Sequence, residues 1–195
     1  HGNWEDTREC LDSLAAQANP GFRVTIADDE SPEPAPFPMD RFPFRVRQLR
    51  NRRGGFAINC NRALATVFDE GASHALLLNN DTAASPDALR RLAEEVGRDV
   101  RCAGARLVDW DGARLDFDGG GAAFTGHGHP LGHGRPVPRR PQASRPTLFA
   151  SGAAMLVHRE TFLAVGGFDP AYFAYYEDVD LGWRLWLAGH EVRHV

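Results

Sequence analysis

Sulfur is scarce in this chain of 195 residues, and what there is does not pair. Cys10, Cys60 and Cys102 are scattered and odd in number, and no CxxC pair occurs. That gives no disulfide framework and fits a reducing, cytoplasmic compartment. Basic residues are not in excess. The net charge of −4 offers no footprint for nucleic acid, which calls for a basic face. No apolar run approaches the length needed to span a bilayer, and no signal peptide is visible. Neither a GxxxxGK[ST] loop nor a GxGxxG fingerprint is present, and no internal repeat appears. An initiating Met is also lacking. The chain opens at His1-Gly2-Asn3 and closes on "EVRHV", which reads as a strand just beginning. It is therefore expected to be a fragment, truncated at both ends.

What is present suits one domain with a sizeable core. "NWEDTRECLDSLAAQANPG" predicts a helix capped by Asn3 or Asp6, with Leu11, Leu14, Ala15 and Ala18 on one face and Pro20-Gly21 as its stop. "FRVTIA" (22–27) and "FRVRQLR" (44–50) read as strands. Between them lies the proline-rich "PEPAPFPMDRFP" (32–43), which cannot be helix. "FAINCNRALATVFDEG" predicts a helix and "HALLLN" a strand. A further helix starts at Ser85-Pro86 and runs to about Gly97. "RCAGARLV" (101–108) and "SGAAMLVH" read as strands, "RETFLAVGG" as a short helix, and "YEDVDLGWRLWLAG" as a helix closed by Gly189. Residues 118–147, rich in Gly, Pro and His, predict an extended or weakly structured loop. Strands alternating with helices predict an α/β fold with a mostly parallel, mixed sheet flanked by helices.

Ligands of such sheets sit beyond the carboxyl ends of the strands. Two strands here end in polar clusters, Asp28-Asp29-Glu30 and Asn79-Asn80-Asp81. Asx residues also favour turns, so either cluster alone is explained without a ligand. Together, carboxylates at one sheet edge call for a cation or for hydrogen-bond donors, and oxygen ligands suit Mg²⁺ or Mn²⁺. "NRRGGFAINCNRAL" joins Gly54-Gly55 to a helix start, where an anion is favoured. An ordinary loop before a helix is the alternative. In "YYEDVDLGWR", Glu177, Asp178 and Asp180 occupy a first helical turn. They complement the helix dipole, or one of them serves as general base. Phe173, Tyr175 and Tyr176 read as core or as a platform for a sugar ring. His127, His129 and His133 invite a zinc site, but without Cys partners a solvated loop is favoured, with His129 or His133 as an alternative acceptor contact.

These motifs, in this order and over nearly the whole chain, resemble family 2 glycosyltransferases of the GT-A fold, in the rhamnosyltransferase-like branch. "IADDES" resembles the family's "VDNxS" segment. "NRRGGFAINCNRAL" resembles "N-x-G-x-x-x-A-x-N-x-G", with Asn51, Gly55 and Asn61 in matching places. "LLLNNDT" resembles the "LLLNPDT" form of the DxD motif. "SGAAMLVHRETFLAVGGFD" and "YYEDVDLGWRLWLAG" resemble its most specific block. The resemblance implies inverting transfer from a UDP- or dTDP-sugar, dTDP-rhamnose among them, to a hydroxyl of a cell-surface glycan or lipid-linked acceptor. Residues 1–110 would form the nucleotide-binding half and 111–195 the acceptor and catalytic half. Asp28 would contact the base, with Asp29, Asn51, Gly55, Asn61, Asn79 and Asn80 around the nucleotide sugar. Gly152 and Ala153 would leave room beside the sugar. Asp81 would hold a divalent metal, Mg²⁺ or Mn²⁺, on the diphosphate. Asp178 would be the base, with Glu177, Tyr176 and Trp183 towards the acceptor. Any association with the inner face of the cytoplasmic membrane would run through regions outside this chain.

The chain departs from the pattern at Asn79, which replaces the first acid of DxD, and at Glu30, where the family carries a small residue. The family's first strand would precede His1. Its metal-ligand histidine would follow Val195, with His194 too early to serve. Asn79 and Glu30 also support a competing expectation, a non-catalytic GT-A module that binds sugar or a partner. A sugar-phosphate nucleotidyltransferase, marked by "GxGTR", and a processive synthase, marked by "QxxRW", fit less well.

Overall fold

The computed structural model describes residues 2–18, 21–96, 100–140 and 142–195. The expected helix stop at Pro20 and helix end at Gly97 lie outside them. Helix α1 (Trp4–Ala15) starts at Asn3, whose side chain bonds Asp6 instead of capping a backbone amide. Strands β1 (Arg23–Asp29) and β2 (Arg45–Asn51) pair in parallel, from Arg23 opposite Arg45 to Asp29 opposite Asn51. The acidic pair Asp28-Asp29 thus belongs to the strand itself. The proline-rich connection contains one short 3-10 turn, Met39–Arg41. It folds onto α1, because its phenylalanines supply the apolar area that α1 needs. Phe42 stacks on Phe44 at 5.7 Å, and both are buried with Leu11 and Leu14.

Helix α2 (Gly55–Asp69) packs across β1 and β3 (His74–Leu78), so both strands lie in one layer beneath it. Along their facing sides runs a cleft of about 1700 Å³, lined by every residue of both strands and floored by Leu14 and Leu64. Among the described residues β1 pairs only with β2, and β3 only with β10. The cleft is therefore bounded by two unpaired strand edges. It lies in the region that the resemblance assigns to nucleotide binding.

The larger sheet has the order β3-β10-β4-β11-β9, with β4 (Cys102–Gly104), β9 (Arg145–Pro146), β10 (Ala154–His158) and β11 (Val192–His194). It is mixed, as expected, but less parallel than the alternation of elements suggested. Within it only β4 and β11 run parallel, while β10 runs antiparallel to both β3 and β4. Helices α4 (Arg159–Ala164) and α5 (Glu177–Leu187) flank this sheet, and α3 (Ala88–Val96) follows the β3 tip. Phe68, Phe168, Met155, Leu181 and Val192 make one continuous core between α2, the sheet and α5.

Two expectations are corrected. The strand read over 101–108 is two strands in different sheets. After β4 the amides of Ala105 and Arg106 bond to Ala154 and Val195, and the Arg106 side chain turns to Asp118. The chain then enters β5 (Leu107–Val108) and β6 (Leu115–Phe117), an antiparallel hairpin. Residues 118–147 are more ordered than the extended or weakly structured loop expected. They hold a second hairpin, β7 (Gly120–Ala122) with β8 (Gly128–Pro130), and then β9. Glycine hides this hairpin from the sequence while making it fit. A Cβ on Gly128 would stand 2.6 Å from the Val179 side chain, and one on Gly120 would overlap the Phe149 ring.

Candidate active site

Four element ends meet above the sheet. The β3 tip is joined to the start of β10 by the Asn79 amide, which donates to the Ala153 carbonyl at 2.9 Å. One residue earlier, the Gly152 amide donates to Asp178 Oδ2 at 3.0 Å, drawing the α5 N-terminus to the same point. Asp178 Oδ1 accepts from the Val179 amide at 2.8 Å. The α2 N-terminus closes the group, since a Cβ on Gly152 would lie 3.0 Å from the Phe56 ring. Asn79, Gly152, Ala153 and Asp178 are thus neighbours, although 99 positions separate Asn79 from Asp178 in the sequence.

The approach to α5 is unusual backbone. Tyr175 and Tyr176 both hold left-handed φ, 72° and 70°. Two consecutive non-glycine residues in that region cost about 1–3 kcal/mol each, and such geometry clusters at functional sites. The turn is pinned from the other side, where the Phe56 amide donates to the Phe173 carbonyl at 2.8 Å. Gly55 (φ 78°) permits this, because a Cβ there would overlap Phe173. As a result Glu177 points inward and is 6% exposed. Burial raises its carboxyl above the usual range, and the neighbouring Asp178 charge adds to that. Burial also raises Asp178, against the amides of Gly152 and Val179 that favour its charged form.

Several residues expected to contact the nucleotide sugar also make bonds within the fold. Asp28 is 4% exposed and accepts from the Ser31 amide, the Ser31 hydroxyl and Gln48 Nε2. Burial alone would raise its carboxyl, but these donors and Arg50 hold it below the usual value. Asp29 takes the Gly54 amide at 2.8 Å and the Gly55 amide at 3.1 Å, so it supplies the anion that the α2 N-terminus favours. Asn51 bonds Asn59, which reaches back to the Ala27 carbonyl. Asn61 clamps the Phe168 backbone through both its amide atoms, at 2.7 and 3.0 Å. Asn80 ties the β3 tip to Asn3 and Thr7 of the α1 start. Glu30, the departure at the third position, is left-handed (φ 63°) and accepts from the Arg53 amide.

The sequence profile of glycosyl transferase family 2 matches residues 1–162. The chain belongs to glycosyl transferase family 2. Over 47 residues it is 55% identical to the N-acetylglucosaminyl-diphospho-decaprenol L-rhamnosyltransferase of Mycobacterium tuberculosis, a match covering 24% of this chain and 15% of that protein. Over 47 residues it is 47% identical to the rhamnosyltransferase WbbL of Escherichia coli K12, covering 24% and 18%. These relatives support the rhamnosyltransferase-like branch. The fold matches the S. aureus TarS 1–349 structure with TM-score 0.64 at 18% identity, over 100% of this chain and 56% of that one. It also matches the mannosyltransferase PcManGT of Pyrobaculum calidifontis, in complex with GDP-Man and Mn²⁺, with TM-score 0.66 at 14% identity, over 100% and 54%. The family 2 chain thus has the GT-A fold and spans about half the length of these solved structures.

The residues that the resemblance assigns to a metal fit a sparse site. Asp81 is exposed at the β3 tip, and no group of three His, Cys, Asp or Glu side chains converges among the described residues. One carboxylate beside a diphosphate suits Mg²⁺ or Mn²⁺, which keep water and phosphate oxygens as their other ligands. In the histidine-rich segment His133 bonds Asp116, and His127 faces Thr125. Tyr176 and Trp183 are exposed beside the α5 N-terminus and along its length. Motif reading missed Phe56, the Phe173 carbonyl and the contact of Gly128 with Val179. Only the Gly-Gly-Phe at 54–56 hinted at the first two. No helix among the described residues is long and apolar enough to cross a membrane.

Proposed function

We propose that the protein containing this chain is an inverting glycosyltransferase that moves a sugar from a nucleotide-diphosphate donor to a hydroxyl of a lipid-linked or cell-surface glycan. The observation that carries this reading is the convergence of Asp178 with Gly152 and the Asn79–Ala153 junction. It puts a half-buried carboxylate, raised by burial above its usual range, near a strand tip bearing the exposed acid Asp81. Asp178 takes the proton from the acceptor hydroxyl as that oxygen bonds to the anomeric carbon. The bond from that carbon to the diphosphate breaks, and the nucleoside diphosphate leaves with its electron pair. Asp81 would hold the divalent ion, whose chemistry is to offset charge on the leaving diphosphate. The two amides that fix the Asp178 oxygens orient the carboxylate before substrate arrives. Tyr176 and Trp183 offer aromatic faces to the acceptor.

A dTDP-rhamnose donor is the first to test, because both partial sequence relatives are rhamnosyltransferases. A lipid-diphosphate acceptor follows from the name of the mycobacterial relative. The alternative, a non-catalytic sugar-binding module, draws support from Asp28, whose oxygens are already engaged. Thermal-shift screening of nucleotide sugars with Mn²⁺ on the intact protein separates the two when followed by a transfer assay. Binding with turnover supports the transferase; binding without turnover supports the module.

A further inference from the structure

Residues 131–145 carry four arginines, Arg135, Arg139, Arg140 and Arg145, and no Asp or Glu, in a chain whose net charge is −4. Two of them, Arg135 and Arg145, line a second cavity of about 420 Å³, together with Asp118, Gln142, Pro136 and Pro138. Arg139 and Arg140 are exposed and fall between the lining residues Pro138 and Gln142. A basic run is ordinarily a solvated face; here it borders an enclosed space.

The acid in the wall does not cancel this charge. Asp118 Oδ1 accepts from Arg106 Nε at 2.7 Å and from the His194 ring at 3.1 Å, and Oδ2 accepts from Arg145 Nη2 at 2.9 Å. Two guanidiniums against one carboxylate leave a positive excess, and the carboxylate serves to hold Arg145 in place. Arg106 Nη2 also reaches Gln142 Oε1 at 3.3 Å, which ties the rim to the same network. Arg135 adds a further guanidinium with no acid partner among the described residues. Pro136 and Pro138 stiffen the wall and offer no N–H, leaving the guanidiniums and the Gln142 amide to supply donors. Planar guanidinium forks suit phosphate oxygens.

Strand β8 connects this cavity to the catalytic end of α5. Gly128, where β8 begins, rests on Val179, the residue after Asp178. Leu131 and Gly132, just past its end, line the cavity. Those four steps of chain span no more than about 14 Å. A sugar that presents a hydroxyl to Asp178 and carries a diphosphate on its anomeric carbon covers a comparable length. We propose that this cavity is the subsite for the diphosphate of a lipid-linked acceptor, held by Arg135 and Arg145. This rests on the transferase reading above and deepens it on the acceptor side. The donor diphosphate is assigned to the Asp81 tip of β3, in the other half of the chain. Bilayer headgroups offer the same phosphate chemistry, so the test separates the two sources.

The test uses the intact protein in EDTA, which removes the metal ion that donor binding at Asp81 requires. Calorimetric titration compares farnesyl diphosphate, a sugar-free prenyl diphosphate, with farnesol and with phosphatidylglycerol vesicles. The wild type is expected to bind farnesyl diphosphate and not farnesol. Arg135→Ala, at an exposed side chain, is expected to weaken farnesyl diphosphate about tenfold or more, the scale of one hydrogen bond to a charged group, with Tm unchanged. Arg145→Lys keeps the ion pair with Asp118 but loses the fork, and should weaken it by less. No binding by the wild type, or equal affinity in Arg135→Ala, would overturn the proposal. Weaker vesicle binding by Arg135→Ala with unchanged farnesyl diphosphate affinity would assign the arginine to bilayer headgroups and overturn it equally. Failure of the transferase reading looks different: farnesyl diphosphate would bind as expected, the diphosphate site would stand, and no nucleotide sugar would be turned over with a lipid-linked acceptor.

Discussion

Lowering the pH from 7 towards 4 is expected to loosen the β11–β9 side of the larger sheet, through His194. This ring is 1% exposed and donates from Nε2 to Asp118 Oδ1 at 3.1 Å, with Nδ1 unpartnered among the described residues. A proton on Nδ1 would put a charged donor where no acceptor lies among the described residues. Burial lowers His194 from 6.5 to about 4 although Asp118 favours the charged form, and the Arg145 and Arg106 guanidiniums push the same way as burial. Those two arginines already neutralise Asp118, at 2.9 and 2.7 Å. The unfolded chain therefore takes up a proton below pH 6.5 that the folded protein refuses until about 4. Stability from this group is full above 6.5 and is lost progressively down to about 4. At about 1.4 kcal/mol per pH unit, the gap corresponds to about 3 kcal/mol. The assay is urea unfolding across pH 7 to 4 for wild type and His194→Asn, whose side chain does not titrate. Carboxylates elsewhere move both curves alike, and Asp118 is held below its usual value, under this window. The wild type should lose about 3 kcal/mol more than the variant over that range. Parallel curves would refute a neutral, buried His194.

Other consequences can be checked singly. Asn61→Ala removes both bonds to the Phe168 backbone and should lower stability by about 1–3 kcal/mol in urea unfolding, leaving nucleotide affinity unchanged once folded. Gly128→Ala forces the β7–β8 hairpin or Val179 to shift, at about 1–3 kcal/mol, and should lower kcat more than it weakens donor binding. Tyr175 is 83% exposed and left-handed, so Tyr175→Gly should hold or raise Tm, by up to about 3 °C, while turnover falls as Glu177 and Asp178 lose their fixed approach. Asp81→Ala and EDTA should each abolish Mn²⁺-dependent nucleotide binding, and EDTA should add nothing to the variant.

The sequence showed the helices well, because Leu11 and Leu14 in α1 and Leu181 and Leu185 in α5 repeat with helical period and become core. It also showed that β1 and β3 end in polar clusters. What it could not show was where each polar side chain turns. Asp28 was readable as a polar tip of β1, but not its bonds to Ser31 and to Gln48 on another strand. Asn61 and Asn80 carry the family spacing and serve as clamps between distant segments. The β7–β8 hairpin was missed for a related reason. Its glycines answer to Phe149 and Val179, neighbours that only the folded chain supplies, and they erase the alternation that would mark strands.

The most direct test is release of nucleoside diphosphate from a nucleotide sugar by the intact protein, with Mn²⁺ and a lipid-linked acceptor, compared between wild type and Asp178→Asn. General-base catalysis contributes about 10²–10⁴-fold, so the variant should lose that much kcat while still binding donor. Equal turnover in the two proteins would contradict the assignment of Asp178 as the base and, with it, the account of this site.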